Sequence, residues 1–493
     1  MRTTITISIL FIFSFSLMAQ DMSAPFHERL SESYEQVKEA SITHRRFKHK
    51  DLQPLIERLK TEEGFTVKKL GESVEGRSIS MVSIGSGKTS VLLWSQMHGN
   101  EPTASMAIMD IFNFFRQQGD FEDVKAKLKR DLTLHFIPML NPDGAERYQR
   151  RNANGVDLNR DALRLQNPES KILKHVRDSL DADWGFNLHD QGKYYAAGPT
   201  EYTASISVLA PAFNYKKDVN AVRANAMQLI GVMHEVLQAY IPNRIGRYND
   251  DFEPRAFGDN IQKWGTRTIL IESGGYPNDP EKQVLRKMNY LMMMASFLSI
   301  SDESYQDIPL RIYESIPFNS YNHLHDLILR KVAVPKDGRT YTLDLGIRRF
   351  EVEYDNNSKY FLRSSIQDIG DLSTSHAYEE FDAEAYEVEL GKSYPKLIKK
   401  KKKLNKLDPI QLLKEGFTSI KLKENIDPWI IAALPLHISG PFSQRTPIAL
   451  GREPSILFKK RGKIVYALVN GFLWNLEKDE QAIRDLMQER LGM

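Results

Sequence analysis

The sequence predicts an α/β protein: a mainly parallel, mixed sheet sandwiched by helices, followed by a second, β-rich or α+β domain. Two observations carry this. Between residues 65 and 300, short apolar runs alternate with longer stretches of helical period, the pattern of strand–helix–strand units. Beyond about Ser301 the texture changes to short strands of alternating polarity. At 493 residues the chain exceeds one typical domain and has ample length to bury two cores.

The elements follow in order. Arg2 supplies a positive start, residues 7–18 are mostly apolar, and Leu17-Met18-Ala19 suits a cleavage site. A removable signal peptide over residues 1–19 and a secreted or periplasmic protein are the expectation. That run is too short to span a bilayer comfortably, and no later stretch reaches roughly 18 to 20 continuous apolar residues, so no transmembrane segment is predicted. With no cysteine there is no disulfide framework. A net charge of +3 is too small to argue for nucleic acid.

A first domain is expected over residues 20–303. Residues 26–59 are charged, helix-prone and placed outside the sheet. Strands are expected at 65–71 and 78–84 around the turn Glu75-Gly76-Arg77, then at 91–97, 132–139, 184–188, 208–209 and 268–271. Helices are expected at 103–115, 169–180, 220–240 and 280–298. The second domain, residues 304–493, should hold strands at 339–345 and 350–354. Its lysine run 399–403 reads as a solvated loop or helix end, and 454–458 with 463–469 read as a hairpin through Arg461-Gly462.

The chemistry gathers at predicted strand ends. His98 and Glu101 stand three residues apart in the loop His98-Gly99-Asn100-Glu101, between the strand 91–97 and the helix 103–115. His189 closes the strand 184–188 and Glu272 closes 268–271. In open α/β sheets, ligands sit outside the carboxyl ends of the strands, where such loops converge. Two imidazoles and one carboxylate give Zn²⁺ three ligands and leave a fourth position open, the catalytic pattern. A further carboxylate, Glu272, should stand beside that position as a proton acceptor and donor. A lone HxxE pair is weak evidence; the joint pattern is stronger. Asn141-Pro142-Asp143-Gly144 and the stretch Arg150-Arg151-Asn152-Ala153-Asn154-Gly155-Val156-Asp157-Leu158-Asn159-Arg160 add a second signal.

With these motifs in order, residues 30 to 300 resemble the zinc carboxypeptidase family (carboxypeptidase A/B-like peptidases, or funnelins). The family's zinc ligand set is itself a worked example of the catalytic pattern. The resemblance implies one Zn²⁺ on His98, Glu101 and His189, with Glu272 as general base. It implies Asn159 and Arg160 as a clamp for a substrate's terminal carboxylate. Arg150, or its neighbour Arg151, would stabilise the oxyanion, and Asp157 would orient His98. Two departures stand out. Asp161-Ala162-Leu163 replaces the aromatic that generally follows the Asn-Arg pair. The tyrosine that closes over substrate has only Tyr248 as a nearby counterpart, and Arg255 or Asp259 would select the substrate or pair with each other.

The implied activity is metallocarboxypeptidase hydrolysis of an amide near a free C-terminal carboxylate. Peptides and peptidoglycan stem peptides both fit as substrate, and a non-catalytic peptide or glycan binder on the same fold is the rival reading. Three other motifs are set aside. Gly87-Lys88-Thr89 lacks the first glycine of a phosphate loop, since Val82 stands there. His323-Leu324-His325-Asp326 opens an apolar, helix-like run, and His135 reads as a core residue inside a strand.

Overall fold

The computed structural model describes residues 25–321, 323–336, 338–441 and 448–493. The expected signal peptide, residues 1–19, lies outside them. Among the described residues no helix is long and apolar enough to cross a membrane.

The first half of the chain supplies α1 (Phe26–Glu32), α2 (Tyr34–Val37), α3 (His49–Arg58), β1 (Phe65–Glu72), β2 (Ser78–Gly85) and β3 (Thr89–Trp94). Next come α4 (Thr103–Arg116), α5 (Glu122–Asp131), β4 (Leu132–Ile137), α6 (Pro142–Glu146), α7 (Pro168–Leu180), β5 (Trp184–Asp190), β6 (Ala196–Ala197) and β7 (Ile206–Leu209). They are followed by α8 (Ala221–Gln238), β8 (Ile245–Arg247), α9 (Phe257–Lys263), β9 (Arg267–Ser273) and α10 (Gln283–Ser301). Eight strands form one mixed sheet in the order β1-β2-β4-β3-β5-β9-β7-β8. The central strands β4, β3, β5 and β9 run parallel, and β7 is antiparallel to β9.

The apolar run in β3 is continuous because both faces are covered. Val91 and Leu93 enter the core shared with α4, α8 and α10. Leu92 and Trp94 enter the opposite core, with Leu173 of α7 and Phe257 of α9. From β3 the chain crosses to β4 on one side and later returns to β5 on the other, so the order reverses between β3 and β5. A crevice opens at such a switch point. It lies where His98 and His189 leave their strands.

The boundary expected at residue 303 falls inside the first layer of packing. A turn at Ser304–Asp307 and α11 (Leu310–Ser315) pack on α8, and β10 (Asn319–Ser320) pairs with β6. Then β11 (Leu324–Lys336), β12 (Arg339–Tyr354), β13 (Lys359–Gly370) and β14 (His376–Asp382) form a sheet in the order β13-β12-β11-β14. Two expectations are corrected here. The run beginning at His323 is a strand, not a helix. The segments 339–345 and 350–354 are one strand, since Gly346 and Ile347 continue the pairing through a local irregularity.

The remaining strands are β15 (Glu387–Leu390), β16 (Lys392–Ser393), β17 (Phe417–Lys421), β18 (His437–Ser439), β19 (Ser455–Lys460), β20 (Lys463–Val469) and β21 (Phe472–Asn475). β15, β19, β20 and β21 make a sheet whose Ile456, Phe458 and Leu468 share a core with Leu327, Leu345 and Ile366. Its other face, through Leu457, Ala467 and Val469, packs on α12 (Pro409–Lys414) and α14 (Glu480–Leu491), with α13 (Pro428–Ile431) between them in the chain. The hairpin through Arg461-Gly462 forms as expected, with both turn residues at positive φ.

Candidate metal centre and its cavity

The loop after β3 is shaped by the turn it packs against. Gln96 takes a left-handed conformation, φ 45°, and its side-chain amide donates to the Gly99 carbonyl at 3.1 Å. A Cβ at Gly99 would stand 1.9 Å from the backbone carbon of Gly144, so only glycine permits this approach. Asn141 caps α6 by accepting from the Gly144 N–H and donates to the Met97 carbonyl at 3.2 Å. Buried Asp143 accepts from Ser73 Oγ (2.8 Å), the Glu75 N–H (3.0 Å) and Arg77 (2.6 Å). The Ser73–Arg77 turn and the Asn-Pro-Asp-Gly turn are therefore one buttress behind the His98 loop.

His98, Glu101 and His189 come together as a buried group that could hold a metal ion. His189 Nδ1 lies 3.1 Å from His98 Nδ1 and 2.7 Å from Glu101 Oε2, and His98 Nδ1 lies 2.8 Å from Glu101 Oε1. With Asp157 facing His98 Nε2, neutral His98 presents its Nδ1 lone pair toward His189 Nδ1. Around a cation the two Nδ1 atoms would both serve as acceptors, and the N₂O donor set suits Zn²⁺. Asp157 Oδ1, 3.0 Å from His98 Nε2, fixes which ring nitrogen points inward.

Electrostatics tie the group together. Burial pushes the Glu101 carboxyl up, but His98 and His189 hold it well below the ordinary range. Burial likewise opposes the ionised Asp157, and His98 and then Arg150 outweigh it. Burial pushes the His189 imidazole down, favouring the neutral, ligating form. His98 is shifted up, because Glu101 and Asp157 outweigh its burial. Glu272 pairs in register with His189 on the adjacent parallel strand. Burial, then the charges of Glu101 and Asp190, push its carboxyl well above the usual value.

A cavity of about 390 Å³ opens over this group. Of the residues singled out from sequence, His98, Glu101, Arg150, Asn159, Arg160, His189, Tyr248, Asp259 and Glu272 line it. Arg150 reaches Glu101 Oε1 at 3.1 Å and Asp157 Oδ2 at 3.0 Å, whereas Arg151 turns out to the Gly155 carbonyl at 3.0 Å. Asn159 Oδ1 accepts from the Phe257 N–H at 2.8 Å, which leaves its NH₂ as the group available to the cavity. Tyr248 follows β8, and its ring lies 6.4 Å from that of Tyr195.

Arg151 and Arg255 are not among the residues lining the cavity. Arg255 is exposed and forms a two-pronged bond with Glu253, at 3.0 and 2.9 Å. It does not pair with Asp259, which instead accepts from the Glu253 N–H at 3.0 Å. Glu253 also faces Arg160 at 3.4 Å, linking the two arginines through one carboxylate. Sequence reasoning missed Asp190, Tyr195 and Glu253. The first follows His189 directly and the second ends a Tyr-Tyr pair, but neither spacing shows which way the loop folds.

The sequence model of the zinc carboxypeptidase family matches residues 55–197, which include His98, Glu101, Arg150, Asp157, Asn159, Arg160 and His189 but not Glu272. The chain is similar to carboxypeptidase SOL1 of Arabidopsis thaliana, at 27% identity over 27% of this chain and 33% of that protein. It is similar to the human carboxypeptidase N catalytic chain, at 29% identity over 24% of this chain and 31% of that one. A crystal structure of a metallo-carboxypeptidase from Burkholderia cenocepacia aligns with a TM-score of 0.42 at 18% identity, covering 52% of this chain and 70% of that one. The matches thus span about a third of the length of these curated relatives. The segment that carries the His98, Glu101 and His189 cluster thus matches the zinc carboxypeptidase family's sequence model.

Proposed function

We propose that the protein is an exported metallocarboxypeptidase that holds one zinc ion on His98, Glu101 and His189 and cleaves an amide bond next to a C-terminal residue. The observation that carries this reading is the pairing of the His-Glu-His group with half-buried Glu272 in one cavity, lined also by Arg150, Asn159 and Arg160. When bound, the ion supplies a Lewis acid and a water of lowered pKa.

The chain's own residues do the rest. Arg160 and the Asn159 NH₂ bind the substrate's terminal carboxylate, a planar anion suited to a guanidinium. That anchors the last residue and sets the preceding amide against the metal-binding group. Arg150, held by Asp157 and Glu101, directs its guanidinium to the carbonyl oxygen as charge develops there. Glu272 takes the proton from the attacking water and passes it to the departing nitrogen. Its raised affinity for protons favours the first of these transfers, and a cation beside Glu101, by lowering that affinity, would ease the second.

Glu272→Gln should lower kcat on the order of 10³-fold while the protein keeps its zinc. The assay is mass spectrometry of products from a panel of peptides and peptidoglycan stem peptides. Loss of single C-terminal residues identifies the reaction, and the panel separates the two substrate pools. Wild-type turnover in zinc-loaded Glu272→Gln would overturn the assignment, and a wild-type protein that binds peptides without cutting any would favour the binder.

A further inference from the structure

The β-rich part of the chain grips two loops that line the cavity. The first, residues 190–195, follows His189 and contributes Asp190, Gln191, Gly192 and Tyr195 to the cavity. Asp326 of β11, almost fully buried, accepts from Lys193 Nζ at 2.6 Å and from the Tyr194 hydroxyl at 2.6 Å. The Arg349 N–H of β12 holds the same carboxylate at 2.5 Å. Tyr378 of β14 donates to the Lys193 carbonyl at 2.7 Å.

The second loop leads from α6 to Arg150. Glu351 of β12 accepts from Arg46 at 2.6 Å and from Arg45. Arg45 donates to the Tyr148 hydroxyl at 3.0 Å, and the Arg46 guanidinium lies 3.9 Å from the centre of the Tyr148 ring. Tyr360 of β13 covers the same guanidinium at 4.8 Å. At the tip of the β12–β13 hairpin, Asn357 donates to the Arg147 carbonyl at 2.7 Å. Tyr148 stands two residues before Arg150 in a left-handed conformation, φ 48°, which a residue with a Cβ keeps only when its surroundings hold it.

We propose that Asp326 and Glu351 are positioning residues, through which the β-rich part fixes the Tyr195 and Arg150 walls of the cavity. The inference rests on the metallocarboxypeptidase reading for its kinetic consequence, and on geometry alone for its mechanical one. Neither residue lines the cavity, so each acts through the loop it holds. The two grips are separate: one sets a wall that contacts substrate, the other sets the arginine assigned to the oxyanion. Their losses should therefore differ in kind.

The test uses the zinc-loaded full chain with Asp326→Asn and Glu351→Gln, and two milder variants, Tyr194→Phe and Asn357→Ala. Amide hydrogen exchange should rise about tenfold in residues 190–197 for Asp326→Asn and Tyr194→Phe only, since a local opening is uncoupled from the rest. It should rise likewise in residues 145–152 for Glu351→Gln and Asn357→Ala only. On a peptide substrate, Asp326→Asn should raise KM about tenfold with kcat nearly unchanged, and Glu351→Gln should lower kcat about tenfold with KM nearly unchanged. Unchanged exchange in both loops overturns the proposal, whatever the thermal stability does. So does an identical kcat and KM effect from both variants. If the wild-type protein cuts no peptide, the metallocarboxypeptidase reading falls, and the exchange pattern still decides the positioning role.

Discussion

Replacing Gly99 by alanine tests the buttress behind the His98 loop. The added Cβ would stand 1.9 Å from the Gly144 carbonyl carbon and 2.1 Å from the Ala145 nitrogen. Both neighbours are backbone, so no side chain can rotate away. Restoring an ordinary 3.4 Å contact requires a backbone shift of about 1.5 Å between the His98 loop and α6. Overpacking of that kind costs about 3 kcal/mol, the upper end for one added methyl group, because the obstacle is main chain. That corresponds to a fall in Tm of roughly 6–12 °C for a domain of this class. The same shift moves His98 and Glu101 relative to His189, and a misplacement near 1 Å is worth about 10²-fold in kcat/KM. Differential scanning fluorimetry, zinc titration against a competing chelator and peptide hydrolysis read the three effects. Gly440→Ala is the control, since a Cβ there meets nothing within 4 Å. A Gly99→Ala protein with the Tm and zinc affinity of the wild type would refute the reasoning.

Three further outcomes follow from single residues. Asp157→Asn removes the carboxylate that fixes His98 Nε2 and should weaken zinc binding about 10- to 100-fold, measured by chelator competition; unchanged affinity would separate Asp157 from the site. Burial pushes the Asp259 carboxyl up to about 7, above its ordinary 3.8, so its stability contribution is full below about pH 4 and lost as pH rises through 7. Asp259→Asn should match wild type in thermal unfolding near pH 4 and exceed it at pH 8, by at most ~4 kcal/mol; a constant difference across that range would count against the burial argument. Burial pushes His135 down to about 4 from 6.5, so stability present above pH 6.5 is lost as pH falls toward 4. His135→Gln, which keeps a partner for Ser83, should remove most of that acid-side loss, and identical unfolding profiles from pH 7 to 4 would contradict it.

The sequence by itself determined the strand–helix alternation and the order of the chemical residues. Both are local quantities: period follows from backbone geometry, and strand-end placement of His98, His189 and Glu272 follows from where apolar runs stop. It also carried the hairpin at Arg461-Gly462, since a turn needs only its own residues. The run from His323 read as helical because short apolar stretches without flanking signals have no clear period, and its strand identity comes from partners within 339–347 and 376–382. Only the tertiary structure chose Arg150 over Arg151 as a cavity residue, because adjacent side chains diverge according to what each can pair with. Only it removed Arg255 from the cavity, through a bond to Glu253 two residues away that spacing alone leaves optional. The role of the β-rich part was the least legible of all. Asp326 and Glu351 act on Tyr194 and Tyr148 across more than a hundred residues of sequence, and a contact at that separation leaves no periodic trace in either segment.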